Sequence, residues 1–260
     1  MNDSIVSHED VPEGLLEEAV HLATEAGKRT LKWFGSDLDT DAKIDGTPVT
    51  AADRDGERFV REYLGEHHPN DSIVGEEEAD TLGTTGRRWI VDPIDGTKGF
   101  MRGVPLYTTL LGVEDEHGPA VGVIAIPAME QVVFAARGRG CYLDQHRTHV
   151  SGRTTIKGSC ITTSGFGPWS PEAMVAMQAA EPLLRTWGDG YGYAMVATGR
   201  AEAMVDPIAN LWDLAPMPII ISEAGGRFTD TEGNPGADGG SGVATNGILH
   251  DEVLGLMQSK

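Results

Sequence analysis

Basic residues, cysteines and long apolar runs are all scarce in this sequence, and each shortage excludes a class of function. Lys and Arg number 20 against 40 Asp and Glu, a formal net charge of −20 at pH 7. A nucleic-acid binder needs a basic footprint to neutralise phosphates, and docking on anionic lipid needs basic clusters. The chain offers neither. The two cysteines, Cys141 and Cys160, fit no zinc spacing and no disulfide framework, so they read as reduced thiols of a cytoplasmic protein. No apolar run approaches the ~18 residues of a membrane span; even Met217 to Ile221 is far too short. Met1 to Pro12 is polar and acidic and lacks the basic-then-apolar order of a signal peptide.

Glycine is abundant, 34 of 260 residues, which points to many tight turns between short elements. A hydrophobic fraction of 40% with five Trp excludes a disordered acidic chain. The spacing predicts a helix from about Pro12 to Phe34, on the recurrence of Leu15, Leu16, Ala19, Leu22, Ala23 and Ala26. Gly35 is its stop signal. After a polar loop, Ser36 to Thr47, a second helix should run from near Thr50 to before Pro69, with Ala52, Phe59, Val60, Tyr63 and Leu64 inward. Ser72 to Gly75 and Arg88 to Val91 read as short strands. Leu106 to Val113, Ala120 to Ile126 and Val132 to Ala136 read as longer ones, separated by Gly, Pro and acidic turns. In the second half, Cys160 to Thr163, Ala203 to Val205, Arg227 to Thr229 and Gly242 to Ala244 read as strands. Pro171 to Leu184, Tyr191 to Thr198, Leu214 to Ala224 and His250 to Met257 read as helices. The expectation is a layered α/β fold. It forms one domain over 1–260, with an α+β half at about 1–140 and an α/β half at about 155–260. Any boundary would fall near Gly138 to Gly158.

Most acids of so acidic a chain are solvated surface, but a few sit where chemistry is done. Asp92 and Asp95 follow a strand, with Pro93 between them and Gly96-Thr97 after. Taken alone, that tetrapeptide reads as an ordinary proline turn. Glu76 and Glu77 also follow a strand and a glycine, Asp213 opens a helix after Trp212, and Asp53 lies in the first turn of the second helix. If these converge, each like-charge pair costs roughly 4 kcal/mol at ~4 Å and an effective dielectric of about 20. Such a cluster persists only with protons or cations. Oxygen ligands without His or Cys select hard ions, so the metal expected is Mg²⁺.

Three blocks carry a resemblance: Gly75-Glu76-Glu77, then Trp89-Ile90-Val91-Asp92-Pro93-Ile94-Asp95-Gly96-Thr97, then Leu211-Trp212-Asp213-Leu214-Ala215 with Glu223-Ala224-Gly225-Gly226. In order and interval they resemble the signature blocks of the inositol monophosphatase superfamily, from the first helix to about Leu254. Within it, Thr97 to Pro105, which contains Arg102-Gly103-Val104-Pro105, and Arg185-Thr186-Trp187-Gly188-Asp189 are similar to the histidinol-phosphate phosphatase branch. One departure is Gly99, where most relatives carry Asn.

The resemblance implies an αβαβα sandwich and a phosphomonoesterase using metal-activated water, with two to three Mg²⁺. It implies that Glu76, Asp92 and the Ile94 carbonyl hold the first ion and that Asp92, Asp95 and Asp213 hold the second, with a third, weaker ion near Glu76. Thr97, paired with Asp53, would orient and deprotonate the water. The backbone N–H groups of Gly96 and Thr97 would take phosphate oxygens, a role glycine suits because it lets backbone approach an anion. The implied substrate is L-histidinol phosphate, in histidine biosynthesis. Its cationic groups would be read by Asp189 and Asp206, with Asn210 as a neutral partner. Arg102 and Arg185 would touch phosphate or form structural ion pairs, and Lys43 would sit on a lid or stand exposed. Lithium sensitivity, a homodimer and a cytoplasmic location are also implied. Two alternatives remain at this point: inositol 1-phosphate or another sugar or nucleotide phosphate as substrate, and a non-catalytic domain that binds divalent cations.

Other features read as structure. His67-His68 ends a helix, where His complements the helix C-terminus, and His146 and His149 lack ligand-spaced partners. Met174, Met177, Leu183 and Leu184 read as core. The glycine-rich stretch Gly188 to Gly192 lacks the context of a dinucleotide loop.

Overall fold

The computed structural model describes residues 11–35, 40–42 and 48–259. Lys43, and most of the Ser36 to Thr47 loop, lie outside the described residues. Periodic apolar residues do form the first helix, α1 (Leu15–Thr30), but it is shorter than the spacing suggested. Gly14 turns left-handed at φ 85° before it, and residues 31–35 form turns after it. Glu17 and Glu18 in its first turn and Lys28 and Arg29 in its last complement the helix dipole.

β1 (Thr40–Ala42) and β2 (Pro48–Thr50) pair antiparallel and lead into α2 (Ala51–His67). β3 (Ser72–Gly75) lies parallel to β4 (Arg88–Asp95). The short α3 (Thr97–Phe100) follows. An antiparallel meander then runs through β5 (Thr108–Asp115), β6 (Gly118–Ile126), β7 (Gln131–Ala136), β8 (Gly140–Leu143) and β9 (His146–Thr148). Among the described residues these make one sheet in the order β3-β4-β5-β6-β7-β8-β9. The second half runs β10 (Cys160–Thr162), α4 (Pro171–Ala179), β11 (Leu183–Arg185), α5 (Asp189–Ala197), β12 (Ala203–Asp206), α6 (Leu211–Leu214) and α7 (Met217–Glu223). It closes with β13 (Arg227–Thr229), β14 (Gly242–Thr245) and α8 (His250–Met257). Its sheet has the order β11-β10-β12-β14-β13.

Three buried clusters, the middle one reaching both sheets, hold five layers together. α1 and α2 cover the outer face of the first sheet through Leu22, Ala26, Val60 and Leu64 against Trp89, Leu111 and Val123. α5 and α7 fill the space between the sheets, with Tyr193, Val196 and Ile220 among Leu110, Ile124 and Met204. α4 and α8 cover the far face of the second sheet through Met177, Val253 and Leu254. This is the expected αβαβα sandwich. Gly122 in β6 sets the middle layer close to the sheet: a Cβ there would stand 2.5 Å from the Pro216 carbonyl. The α6–α7 corner therefore lies directly on the first sheet.

Three expectations are corrected. β4 continues through Pro93 to Asp95 instead of stopping at Val91, because a register shift between Asp92 and Asp95 takes up the proline. A residue without an N–H is tolerated at such a bulge. The helix expected over Pro171 to Leu184 ends at Ala179. Glu181 is left-handed at φ 58° and precedes Pro182, and residues 183–185 form an edge strand in which Leu183 is exposed, not core. Leu214 to Ala224 is two helices, with Pro216 at the corner.

Candidate active site

The parallel pairing of β3 and β4 puts their C-terminal ends on one edge, so Glu76 and the Asp92–Asp95 segment emerge side by side. The bulge fixes the first aspartate: the Ile94 amide donates back to Asp92 Oδ1 at 3.0 Å. Thr109 Oγ1 donates to the Pro93 carbonyl at 2.7 Å and pins the turn to β5. Asp95 Oδ2 accepts from Thr108 Oγ1 at 2.6 Å and from the Gly190 amide at the start of α5. Asp213 is the third residue of α6, and its Oδ2 accepts the Asn210 amide at 2.7 Å in a capping box. Two separate stretches of chain, the end of β4 and α6, thus deliver Asp92, Asp95 and Asp213 to one point, where a ligand oxygen of each lies within 4.8 Å of the others.

The electrostatic consequence is strong. Asp92 and Asp95 are buried. At this spacing each like-charge pair costs roughly 3–4 kcal/mol for an effective dielectric of about 20. Burial pushes the Asp92 carboxyl well above its usual range, and the charges of Glu76, Asp95, Asp213 and Asp53 push it further. Asp95 is raised by burial and by Asp189 and Asp213, against the pull of Thr108 and Gly190. Asp213 is pushed up to about 6, chiefly by burial, while a hydrogen bond shared with Asp92 opposes this. Among the described residues, the backbone and hydroxyl donors to these acids are all neutral, so they hold the carboxyls in place without cancelling their charge. The ligand set is all oxygen with no His or Cys, and it fits hard divalent cations.

The cluster forms the floor of an open cavity of about 670 Å³ whose wall includes Gly96, Thr97, Lys98, Trp187 and Asp189. Gly96 is left-handed at φ 86° and begins α3; a Cβ there would stand 3.0 Å from Asp189 Oδ2. The cavity continues into a side recess of about 90 Å³ reaching Tyr193 and Asp206. Asp206 is buried and accepts the Ser164 amide at 3.0 Å and the Tyr193 hydroxyl at 3.3 Å. Burial pushes it up to about 7. Ser164 Oγ in turn accepts the Asp189 amide at 2.8 Å. Burial also raises Asp189, while Ser164 and Lys98 oppose this.

The structure thus brings together Glu76, Asp92, Ile94, Asp95, Gly96, Thr97, Asp189 and Asp213 around one cavity, with Asp206 behind it. Asp53 is buried in the first turn of α2, near enough to Asp92 for its charge to act there. The Thr97 hydroxyl, expected to work with Asp53, donates in this structure to the Ile94 carbonyl at 2.9 Å, the acceptor three residues back that a threonine in a turn reaches first. Three residues expected as substrate contacts do not line the cavity. Arg102 is exposed and donates to the Lys98 carbonyl at 2.9 Å. Arg185 is exposed, donates to the Leu184 carbonyl at 2.7 Å and lies over the Trp187 ring. Asn210 is the exposed cap of α6. Gly99 does not loosen the turn. Backbone bonds from residues 99 and 100 to the Gly96 carbonyl close it, and a Cβ at 99 would meet only Val104, at 3.7 Å. Ser164 and Tyr193 were missed, because single polar residues outside the signature blocks carry no signal. Lys98 and Trp187 lay inside the quoted blocks without a role.

Phosphate esters are the substrates that draw on both halves of such a site, cations for their charge and an open backbone turn for their oxygens, and the protein is a phosphoric monoester hydrolase. The chain belongs to the inositol monophosphatase family, whose model matches residues 12–260. It is 41% identical over 259 residues to a histidinol-phosphatase of Mycobacterium tuberculosis, a match covering 96% of this chain and 98% of that protein. It is 32% identical to an inositol-1-monophosphatase of Rhizobium meliloti, over 84% of this chain and 86% of that one. An IMPase of Thermotoga maritima has a structure that matches with a TM-score of 0.85 at 27% identity, over 93% of this chain and 96% of that one.

Proposed function

We propose that the protein hydrolyses L-histidinol phosphate to L-histidinol and phosphate, with Mg²⁺ as cofactor. The observation that carries the substrate is the pair Asp189 and Asp206, joined through Ser164 and set beside the acid cluster. A substrate with an ammonium and an imidazole gives these carboxyls a cationic partner, which a polyol phosphate does not. The similarity to histidinol-phosphatases at 41% and 36% identity supports the same substrate.

In this reading Glu76, Asp92 and the Ile94 carbonyl would hold one Mg²⁺, and Asp92, Asp95 and Asp213 would hold a second, with a third, weaker ion near Glu76. Bound Mg²⁺ supplies Lewis acidity for the attacking water and for the leaving oxygen. The chain supplies the geometry. The Gly96 and Thr97 amides at the start of α3 receive phosphate oxygens, and the Gly96 backbone exposes them because no Cβ intervenes. The Thr97 hydroxyl orients the attacking water. To accept its proton it turns from Ile94 and passes its own to Asp53, since a hydroxyl is a weak base alone. Asp189 and Asp206 hold the amine end while the phosphate end stays on the turn. Inhibition by Li⁺, a homodimer and a cytoplasmic setting belong to the same reading.

The test is phosphate release from histidinol phosphate and from inositol 1-phosphate, with and without Mg²⁺. The expected result is Mg²⁺-dependent turnover that favours histidinol phosphate. Good turnover of inositol phosphate with none of histidinol phosphate overturns the substrate. Asp189→Asn should reduce turnover of the amine-bearing substrate more than that of the polyol; equal loss counts against the amine-reading role.

A further inference from the structure

Glu57 lies one helical turn after Asp53 on α2, and its side chain is wholly buried. A buried carboxylate persists only with donors around it, and Glu57 has three. Its Oε2 accepts the Glu77 amide at 2.7 Å. Its Oε1 accepts the Glu78 amide at 3.1 Å and Arg61 Nε at 2.7 Å. Arg61 then reaches past it, donating from Nη2 to the Glu78 carbonyl at 3.1 Å and from Nη1 to Thr81 Oγ1 at 3.3 Å. The pair therefore grips both the amides and a carbonyl of the chain just after Glu76. Gly75 completes the seat, because a Cβ at that position would overlap the Glu57 carboxylate.

We propose that Glu57 is a positioning residue for Glu76: its clamp on the Glu77 and Glu78 amides fixes the turn so that Glu76 faces Asp92 and Asp213. The inference rests on the reading in which Glu76 holds a cation. Among the described residues, β3 is held on its outer side by a single backbone bridge, Ile73 with Thr81, and Glu76 lies beyond it. Here α2 supplies the missing acceptors, and the helix that brings Asp53 toward the cluster also sets the direction of Glu76. Glu57 itself touches neither substrate nor ion. Its contribution is to remove the freedom that binding would otherwise have to quench, which is how groups behind a ligand tune affinity.

Glu57→Gln keeps the shape but turns one oxygen into an NH₂ group that faces an amide N–H it can no longer accept. Protein stripped with EDTA is titrated with MgCl₂ alone by calorimetry, and its Tm is measured with and without Mg²⁺. Glu76→Gln and the double variant are run alongside. The expected result is Mg²⁺ binding weakened about tenfold or more by E57Q, a smaller Mg²⁺-induced rise in Tm, and a double variant no weaker than E76Q. In assays the Mg²⁺ midpoint rises more than kcat at saturating Mg²⁺ falls. If E57Q lowers the metal-free Tm but binds Mg²⁺ like the wild type, Glu57 serves stability only and the proposal is overturned. If E76Q binds Mg²⁺ like the wild type, the reading of Glu76 as a ligand fails, whatever E57Q does. Should E57Q not fold, Arg61→Lys carries the test, since it loses the reach to the Glu78 carbonyl. Wild-type Mg²⁺ binding by that variant overturns the proposal.

Discussion

Asp206 offers a measurement of the acid recess that needs neither substrate nor metal. Its carboxyl is buried and titrates at about 7 when folded, against about 3.9 in an unfolded chain. Below pH 4 both states hold the proton. Above that the unfolded chain releases it while the folded protein keeps it, so stability falls as pH rises, until both states are ionised above pH 7. At 1.36 kcal/mol per pH unit of difference, the loss from this one group is about 3–4 kcal/mol between pH 4 and pH 8. Asp206→Asn removes the titration and keeps the shape. The amide oxygen still accepts the Ser164 N–H, and the Tyr193 hydroxyl can reverse to accept from the new NH₂ group. Urea unfolding of both proteins in EDTA at each pH from 4 to 8 gives the comparison. The variant should gain on the wild type by about 3 kcal/mol or more across that range, with the gap opening mostly between pH 4 and pH 7. Parallel curves would mean that the buried carboxyl holds no proton, and the electrostatic account of the recess would be wrong.

Three further outcomes are expected. Gly96→Ala places a Cβ at φ 86° and 3.0 Å from Asp189 Oδ2; it should cost about 1–2 kcal/mol in urea unfolding and reduce phosphate release far more than the lost stability explains. Glu223→Ala removes the acceptors that take the Gly138 and Gly140 amides at 2.7 Å each. It should lower stability by about 1–3 kcal/mol while kcat/KM stays within about twofold, since the residue is remote from the cavity; a large loss of activity would refute that separation. Removal of divalent cations by EDTA should abolish phosphate release, with recovery on adding Mg²⁺ or Mn²⁺, the hard ions that an all-oxygen set selects. Full activity in EDTA would refute the cation reading.

The parts of the fold that were legible are those where local signals agree with packing. Ser72 to Gly75 and His250 to Met257 form the expected strand and helix with the expected bounds, because apolar pattern and flanking turns coincide there. The signals failed where one residue type has two uses. Pro93 read as the end of a strand, but it sits at a bulge that bends the strand and aims its two aspartates. Residues 183–185 continued a helical apolar pattern, yet Glu181 and Pro182 had already ended the helix, and the segment pairs in parallel with β10. The site followed the same division. Acids locked into the signature blocks could be placed from sequence, because their backbone context is local. Arg102 and Arg185 could not, because a long exposed side chain takes its direction from whatever carbonyl is near. Glu57 gave no signal either. Its partners are amides twenty residues away, and nothing in a helix sequence announces them.

How the acids are held separates structure from chemistry in this protein. Several of its partly or fully buried acids are answered by arginine: Glu57 by Arg61 at 2.7 Å, Asp115 by Arg137 at 2.7 Å, Glu114 by Arg88 at 2.5 Å. Among the described residues, no Lys or Arg forms an ion pair with Asp92, Asp95 or Asp213. Amides and hydroxyls fix their oxygens in place and leave the charge standing. Arginine at these positions would make the fold more stable and the site inert, since a carboxylate already neutralised has little left for a cation. Neutral donors give the geometry of a binding site while keeping its affinity, at the cost of raised proton affinity when nothing is bound. The same logic eases the tension between a chain of net charge −20 and an anionic substrate. Long-range repulsion is screened beyond ~10 Å in ordinary salt, and within that distance, in the proposed reading, the substrate would meet a site whose local sign is set by bound cations.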